Sequence, residues 1–482
     1  MKISFDFIKQ LQKPLSNTEG LSKQELRKRR KQMEQMQAYA VIGGGVLIVI
    51  IVLVLVIKLA TGGFHKESEP QVAENVVQES EAVVSGEENA KTDGEAQISA
   101  AEQVAASAAA KEEAEAAEKE ATGPTKEEIL DRAIAGYIDN MTLEEKVAAL
   151  FFVTPEQLTK VNRATTAGGT TSEALSAYPV GGILFSEKNM ADADQFLEMV
   201  SNTRTYCRYE TFMGIADEGG STSPFATKKL IEEPAMSQPE IGSTGGVAEA
   251  YSSGIAYGTR LRSFGLDVNF APVADVALEK NAAIAKRSYG DDVENVASLS
   301  KNTMKGMLDQ SIHCVVKYFP SYGDVRSDGS TGRVSSKRTL EDLKNTEMEI
   351  YRQLIDNGAE MLMVSVVSMP EVTGDNTPAC FSDTIVTGLL RDELGYEGVI
   401  LTDYVSKSAI SRVYKQQAIA VQAILAGCDM IVSPTNFIQE YEGVLAAVED
   451  GTITEERLEE SIYRIYRIKY RNLINYDEYT GN

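Results

Sequence analysis

Tryptophan is absent from this chain of 482 residues, which also has only two histidines and four cysteines. The cysteines stand far apart and form no Cys-x-x-Cys pair, so the spacing of a structural zinc site is excluded. They fall in or near apolar segments, and we expect buried free thiols, while a disulfide outside the cytosol stays open. His313 lies in the apolar sequence IHCV, where we expect it to pack within a strand rather than to bind a metal.

Motifs for the common cofactors are also missing from the sequence. No glycine-rich dinucleotide fingerprint, phosphate-binding loop or nucleophile elbow follows an apolar run, and no cluster has the spacing of metal ligands. We therefore expect neither a cofactor nor a metal. Positive charge is scarce too, because 47 Lys and Arg stand against 71 Asp and Glu, for a formal net charge of −24. That balance argues against nucleic acid as a partner.

One uncharged run, Ala38 to Ile57, has the length of a helix that spans a bilayer. Basic residues are concentrated just before it, at 23–31, and few follow it, so the positive-inside rule places residues 1–37 in the cytosol. We predict one transmembrane helix at 38–60, with the rest of the chain extracellular and the protein anchored in the cell membrane. A buried core helix and a cleaved signal peptide are the alternatives.

Residues 61–124 form an acidic linker that is rich in Ala, Glu and Ser and poor in large apolar residues. Such a segment cannot bury enough surface to fold alone, so we interpret it as an extracellular stalk. Its part at 98–121 has high helix propensity and could act as a semi-rigid spacer. Binding of a partner by the acidic tract is the alternative interpretation. A capping box at Thr125 and Glu128 then begins the folded domain, 125–482.

Short apolar runs separated by helical patterns fill this domain, which is typical of repeated βα units. Eight such runs predict strands, and they lie at Leu150–Val153, Gly182–Phe185, Met213–Asp217, Val268–Val273, Cys314–Phe319, Met361–Val366, Val399–Asp403 and Met430–Ser433. Eight parallel strands with alternating helices suit a (β/α)8 TIM barrel better than an open doubly wound sheet. The fold class is therefore α/β, with the transmembrane helix and the acidic stalk preceding the barrel.

Functional groups of such a barrel are expected where strands end and the βα loops gather. Polar residues follow four of the predicted strands, namely Asp217-Glu218, Asp275 with Arg287, Lys317 with Asp328, and Thr402-Asp403. Asp403 could be the N-cap of the following segment. If Asp403 and Asp328 meet at the mouth of the barrel, they provide the paired carboxyl groups that glycoside hydrolysis uses.

Several motifs in order resemble glycoside hydrolase family 3, and within it the NagZ-type β-N-acetylglucosaminidases. They are MTLEEKVAALFFV, VGGILFSE, DEGG, FGLDVNFAPVADV, KRSYGDD, KYFPSYG and LRDELGYEGVILTDY, and together they cover roughly residues 130–475. The resemblance implies a carbohydrate substrate, Asp403 as the nucleophile, and Arg287 and Lys317 as sugar-binding residues. Ala216 stands where the family pattern has a sugar-binding aspartate, and a one-residue shift of register would let Asp217 serve instead, although DEGG aligns most simply without a shift. We expect Asp217 and Glu218 to bind substrate.

The catalytic loop after the fifth predicted strand departs from the family pattern. Tyr318, Tyr322 and Ser330 occupy its three histidine positions, while Asp328 is retained. Because serine does not titrate near neutral pH, the acid that protonates the leaving group is then Asp328 or an unrecognised residue. Two functions follow: a membrane-anchored β-N-acetylhexosaminidase-type hydrolase of cell-wall or other β-linked sugars, or a catalytically degenerate barrel that binds glycans or organises the cell envelope.

Overall fold

The computed structural model of the protein describes residues 124–244, 246–474 and 476. Eight short strands lie within them, at β1 Phe151–Val153, β2 Gly182–Leu184, β3 Phe212–Ile215, β4 Val268–Asn269, β5 His313–Phe319, β6 Met361–Val364, β7 Val399–Thr402 and β8 Ile431–Val432. Each overlaps one of the eight strands predicted from the sequence, and most are shorter than predicted.

All neighbouring strands pair in parallel, in the order β7-β6-β5-β4-β3-β2-β1-β8. Strand β1 pairs with β2 on one side and with β8 on the other. A parallel bridge between Leu401 and Met430 joins β7 to the start of β8, and the Thr402 N–H donates to the carbonyl of Met430 (3.0 Å). The sheet therefore closes on itself, and the predicted (β/α)8 barrel is confirmed.

Helices alternate with these strands along the chain. The longer ones are Lys126–Asp139, Leu143–Ala149, Gly169–Ala177, Ala193–Tyr206, Gln238–Thr244, Val247–Ser263, Val293–Leu308, Glu347–Asp356, Gln416–Ala426, Phe437–Glu449 and Glu455–Tyr470, with a π-helix at Thr384–Glu393. Shorter helical turns lie at Pro155–Thr159, Glu187–Asn189, Gly220–Thr222, Pro224–Thr227, Leu340–Lys344, Pro370–Thr373, Ala379–Phe381 and Ser408–Ser411. The first helix begins at the predicted capping box, in which Thr125 and Glu128 each accept the other's backbone N–H.

Aromatic side chains fill the interior of the barrel, and glycines make room for them. A Cβ atom added at Gly182 would lie only 2.6 Å from the ring of Phe152. One added at Gly214 would lie 2.8 Å from the same ring. Phe152 meets Phe270 edge-to-face, with ring centroids 5.0 Å apart. Such packing leaves no pore through the barrel, so chemistry is confined to its rim.

The cysteines are free thiols, of which Cys314, Cys380 and Cys428 are buried and Cys207 is partly exposed. Within the described residues no helix is long and apolar enough to cross a membrane. The predicted cytosolic segment, transmembrane helix and stalk lie outside the described residues, apart from Pro124 at the end of the stalk.

A buried carboxylate in the helix after β8 gives the fold a pH dependence. Glu440 accepts the N–H of Thr435 (2.9 Å), while its Oε2 has no hydrogen-bond partner in the described part of the chain. Burial raises the pKa of Glu440 from its ordinary 4.5 to about 8. Because the folded protein then holds a proton that the unfolded chain has released, this group's stabilisation is present below pH 4.5 and is lost as the pH rises through 8.

We expect the difference in unfolding free energy between the natural chain and Glu440→Gln to fall by on the order of 3–5 kcal/mol between pH 5 and pH 8.5. Denaturant unfolding of both proteins at the two pH values measures it. Glutamine keeps the shape and the Oε1 acceptor but cannot titrate. Two parallel stability–pH curves would show that Glu440 is ionised in the folded protein at neutral pH.

Candidate active site

Asp403 follows β7 directly and lies almost fully buried at the carboxyl ends of the strands. Its Oδ1 accepts the backbone N–H of Tyr404 (2.6 Å). Its Oδ2 accepts two hydrogen bonds, one from the hydroxyl of Tyr322 (2.5 Å) and one from Nζ of Lys407 (2.7 Å). Three donors, one of them the ammonium group of Lys407, therefore fix the orientation of the Asp403 carboxylate. The structure thus places Asp403 at the mouth of the barrel, where the sequence predicts it.

Tyr322 comes from the loop after β5 and occupies one of the vacated histidine positions. Its hydroxyl donates to Asp403 and is approached by the N–H of Val366 and by Nζ of Lys407, both at 3.3 Å. Burial, and then the charge of Asp403, raise the pKa of Tyr322 well above 10. Tyr322 is therefore a neutral hydrogen-bond donor to the carboxylate.

Tyr318 fills a second histidine position and lies edge-to-face against Tyr322, with centroids 5.0 Å apart. Its hydroxyl accepts a hydrogen bond from Nη2 of Arg287 (2.8 Å). Three cations surround its ring: the guanidinium of Arg287 at 5.4 Å from the centroid, Lys317 at 5.4 Å and Lys407 at 5.5 Å. The electron-rich faces of an aromatic ring favour such cations. Tyr318 thus holds the positive groups of the mouth together.

Glu218 neutralises two of these cations. It accepts from Nζ of Lys317 (2.7 Å) and, through both of its oxygens, from Nε (2.7 Å) and Nη2 of Arg287. Burial would raise the pKa of Glu218, but the charges and hydrogen bonds of Lys317 and Arg287 lower it to about 2. The paired oxygens fix the Arg287 fork in one orientation. Glu218, Arg287 and Lys317 therefore form one ion-paired cluster. It lies at the rim of the barrel, where the sequence predicts these residues.

Arg287 keeps part of its donor capacity. Its Nη1 donates no hydrogen bond within residues 124–244, 246–474 and 476, and its side chain is 29 % exposed. A fixed, partly exposed guanidinium of this kind can hold a sugar hydroxyl or an anionic group. This geometry agrees with the substrate-binding role expected for Arg287, which stays a prediction.

Asp217 is engaged elsewhere. Its Oδ2 accepts from Nη1 of Arg260 (2.9 Å), in helix Val247–Ser263, and its Oδ1 accepts from the N–H of Gly219 (3.1 Å). The side-chain amide of Asn269 in β4 donates to the backbone carbonyl of Asp217 (3.0 Å). The carboxylate therefore ties the loop after β3 to the outer helix. A contact between Asp217 and a sugar stays a prediction, and these bonds would have to be broken for it.

Asp328 lies half-buried in the loop after β5, where its Oδ1 accepts the N–H of Ser330 (3.0 Å). Burial would raise the pKa of Asp328, but hydrogen bonds from the hydroxyl and N–H of Ser330, together with the charge of Lys407, lower it. Asp328 is therefore ionised at neutral pH. An ionised carboxylate can act as a base but has no proton to give to a leaving group.

Asp275 accepts hydrogen bonds from the start of the loop after β5. Its two oxygens accept the hydroxyl of Ser321 (2.7 Å) and the N–H of Tyr322 (2.5 Å). Burial, and then the nearby carboxylate of Glu347, raise the pKa of Asp275 well above its ordinary value. Asp275 thus fixes the backbone from which the Tyr322 hydroxyl reaches Asp403.

Lys407 was not predicted from the sequence, although a cation four residues after an aspartate at the end of a strand was a readable signal. Its Nζ bonds Asp403, and its stem lies against the loop of Asp328, since the Lys407 Cδ is 3.8 Å from where a Cβ of Gly329 would stand. The N–H of Ala409 also donates to the carbonyl of Gly329 (2.9 Å). Lys407 therefore lies where the loops of the two predicted catalytic carboxylates meet.

A cavity of about 1110 Å³ lies at the other end of the barrel, where its lining includes Glu360 before β6 and Gly398 before β7. It is remote from the strand ends that carry Asp403. Metal ligands do not assemble at either end: among the described residues no group of three His, Cys, Asp or Glu could hold a metal ion.

The described residues thus form a (β/α)8 barrel with a buried, hydrogen-bonded carboxylate and oriented cations at the carboxyl ends of its strands. The family model described as "Glycosyl hydrolase family 3 N terminal domain" matches residues 142–468. The chain belongs to glycosyl hydrolase family 3.

Relatives in this family carry hexosaminidase names. A "Beta-hexosaminidase" of Methylococcus capsulatus is 29 % identical over 280 residues, which cover 58 % of this chain and 83 % of the relative. Another, of Thioalkalivibrio sulfidiphilus, is 29 % identical over 317 residues, with 65 % and 88 % covered. The solved structure of a family 3 β-N-acetylglucosaminidase from a Paenibacillus species is 28 % identical, with a TM-score of 0.63 over 71 % of this chain and 67 % of that one. Within the family, the chain thus resembles β-hexosaminidases.

Proposed function

We propose that this protein is a retaining glycoside hydrolase that cleaves β-linked N-acetylhexosaminides or glucosides of cell-wall type. The observation that carries the proposal is the buried Asp403 carboxylate at the end of β7, beside the oriented Arg287 and Lys317. The hexosaminidase names of its relatives supply the substrate class.

In the proposed reaction, an oxygen of Asp403 attacks the anomeric carbon and forms a covalent glycosyl-enzyme, which water then hydrolyses. Arg287 and Lys317 hold ring hydroxyls and place that carbon, since Glu218 fixes their orientation. Tyr322 and the N–H of Tyr404 stabilise the carboxylate as it leaves again in the second step.

Proton donation to the leaving group is the weak step. Asp328 is the retained carboxyl group on the opposing loop, but the Ser330 hydrogen bonds and Lys407 lower its pKa and so keep it ionised. We infer that turnover depends strongly on the leaving group: an aryl alcohol of low pKa departs without a proton, whereas a sugar alcohol needs one. In the second step an ionised Asp328 is in the correct state to accept a proton from water.

The location of the protein is a second part of the proposal. We infer an uncleaved membrane anchor at 38–60, a cytosolic N-terminus and an extracellular barrel carried on the acidic linker, on the strength of the apolar run and the basic residues before it. Protease added to intact cells should then remove the barrel. An epitope tag added at the N-terminus should stay protected. A barrel that stays intact until the cells are lysed contradicts this location.

The experiment that tests the function uses the full chain in detergent with 4-nitrophenyl and 2,4-dinitrophenyl β-N-acetylglucosaminide. Proton NMR of the first-formed sugar gives its anomeric configuration, and a β-product is expected from two displacements. An α-product would exclude Asp403 as a nucleophile. Absence of any release above an Asp403→Ala control would remove the hydrolase proposal.

Restoring the missing acid should raise the rate on poor leaving groups. We expect Ser330→His to increase the hydrolysis of an unactivated β-linked disaccharide about 10- to 100-fold, with little change for the dinitrophenyl substrate. Ser330 is exposed and bonds Asp328, whose carboxylate would orient the imidazole and favour its protonated form. Rates of the two proteins on both substrates measure it.

A matched control for this change is Ser335→His, which places the same side chain at another exposed serine of the same loop. It should leave both rates unchanged. If Ser330→His accelerates the two substrates equally, or neither, residue 330 does not lie over the leaving oxygen.

A second candidate is a glycan-binding barrel without turnover. Both hydrogen bonds to Oδ2 of Asp403 come from groups within the chain, Tyr322 and Lys407, which must yield before that oxygen can attack. Saturable binding of N-acetylglucosamine oligomers, together with no turnover of the dinitrophenyl substrate, is the result expected of this alternative.

A further inference from the structure

The ammonium group of Lys407 is a cation of the mouth that the proposed mechanism does not use. It is only 11 % exposed, pairs with Oδ2 of Asp403 and lies 5.0 Å from the centroid of the Tyr322 ring. The other two cations there, Arg287 and Lys317, already share a buried carboxylate, Glu218. Lys407 depends on Asp403 in the same way.

The proposed reaction removes this partner. An Asp403 oxygen bonded to the anomeric carbon becomes part of an ester and loses its negative charge, while Lys407 keeps its positive charge. A mostly buried ammonium without a counterion is costly, and that of Lys407 lies against the rings of Tyr318 and Tyr322. A neutral sugar would leave this cost in place at every turnover.

Asp328 offers partial compensation. Its carboxylate is near enough to Lys407 for the lysine charge to lower its pKa, but its Oδ1 already accepts the N–H of Ser330 in the loop, and the residue is half-buried. An anionic group on the sugar would instead pair with Lys407 at the position where its ammonium group meets Asp403. It would draw the ammonium away from Oδ2 and so free the attacking oxygen.

We propose that the mouth binds a sugar that carries a carboxylate, and that Lys407 is the residue that recognises it. This inference rests on the proposed function, because it places a sugar ring at Asp403. Two sources share the chemistry: a hexuronic acid, with its carboxylate on C5, and an amino sugar with a lactyl ether. Arg287, with its partly exposed guanidinium, can hold the remaining hydroxyls in either case.

The test measures binding rather than turnover, by calorimetry on the full chain in detergent micelles. Glucuronic acid is compared with glucose, and N-acetylmuramic acid with N-acetylglucosamine, so that each pair differs in the carboxylate-bearing group. We expect at least about a 10-fold tighter Kd for the acid member of one pair, and the pair identifies the source. Equal affinities within both pairs, or no binding of either acid, would overturn the inference.

Variants of Lys407 assign the preference to the residue. Lys407→Met keeps the length of the stem and should abolish the preference for the acid while binding of the neutral sugar is maintained or improved. Lys407→Arg keeps the charge and should retain the preference. A folded Lys407→Met protein that still prefers the acid sugar would contradict the assignment.

A third measurement does not depend on any variant folding. Because an ion pair in a partly open mouth is screened by salt, the preference of the natural chain should shrink between 0.05 and 1 M NaCl, values at which the Debye length falls from roughly 14 to 3 Å. A preference that salt does not change contradicts charge recognition. The two proposals fail separately: acid-sugar binding without turnover removes the hydrolase alone, and turnover of neutral sugars without acid preference removes only this inference.

Discussion

Replacing Asp403 by asparagine should reduce the hydrolysis of 4-nitrophenyl β-N-acetylglucosaminide on the order of 10⁴-fold, with most of the loss in kcat. The amide keeps the size of the carboxylate and an oxygen for the N–H of Tyr404. It lacks the negative charge that attacks the anomeric carbon, so the covalent step is lost. The initial rates of the purified variant and of the natural chain measure the effect.

Chemical rescue makes this test specific. In Asp403→Ala the space of the carboxylate can admit azide, which should attack from the same face and give an α-glycosyl azide, the inverted product. Loss of an acid/base group instead leaves the covalent step intact, so azide intercepts the glycosyl-enzyme and gives the β-azide. NMR of the azide product distinguishes the two roles.

The matched comparison is Asp217→Ala, another strand-end aspartate, whose carboxylate is bonded to Arg260. We expect no azide product from it. A β-azide from Asp403→Ala, or azide rescue of Asp217→Ala, would show that Asp403 is not the nucleophile.

Much of the fold could be read from the sequence because barrel strands are buried on both faces and therefore form short continuous apolar runs. The run GVIL before Thr402-Asp403 is such a case, and it becomes β7. The position of a polar residue at the end of such a run follows from chain direction alone, since all eight strands are parallel. For that reason Asp403, Glu218 and Lys317 could be assigned to one rim without any structure.

The partners of these residues could not be read in the same way. Arg260, on an outer helix, takes the carboxylate of Asp217 across 43 residues of sequence, and this pairing depends on how the helix packs against the barrel. The ionised state of Asp328 was easier to predict from the sequence. Asp-Gly-Ser favours a turn in which the aspartate accepts the N–H of the residue two positions later, and this hydrogen bond lowers the pKa of the carboxyl group. That local hydrogen bond was a readable argument against Asp328 as an acid.

A buried acid at the opposite end of the barrel should dominate stability. Asp429 precedes β8 and is fully buried. Its carboxylate accepts from Nη2 of Arg391 (2.5 Å), Nη1 of Arg464 (3.0 Å) and the Ser461 hydroxyl (2.8 Å). It also accepts the N–H of Ile400 in β7 (2.8 Å), so one side chain joins two strands to two helices.

We expect Asp429→Ala to lower the free energy of unfolding by about 3–5 kcal/mol, because two mostly buried arginines and a strand N–H lose their acceptor together. The thermal midpoint should fall by about 5–10 °C, as followed by circular dichroism. Asp429→Asn keeps an acceptor but not the charge, so its thermal midpoint should fall between those of the natural chain and Asp429→Ala.

The control for this change is Asp309→Ala, which removes an exposed carboxylate paired with Lys305 and leaves nothing buried without a partner. Its midpoint should match that of the natural chain, since exposed pairs contribute little. Equal midpoints for Asp429→Ala and Asp309→Ala would mean that the arginines find other acceptors or water when Asp429 is removed. In that case the ion cluster would not be what holds β7 and β8 to the last helix, and hydrophobic packing at Ile462 and Ile465 would have to carry that contact instead.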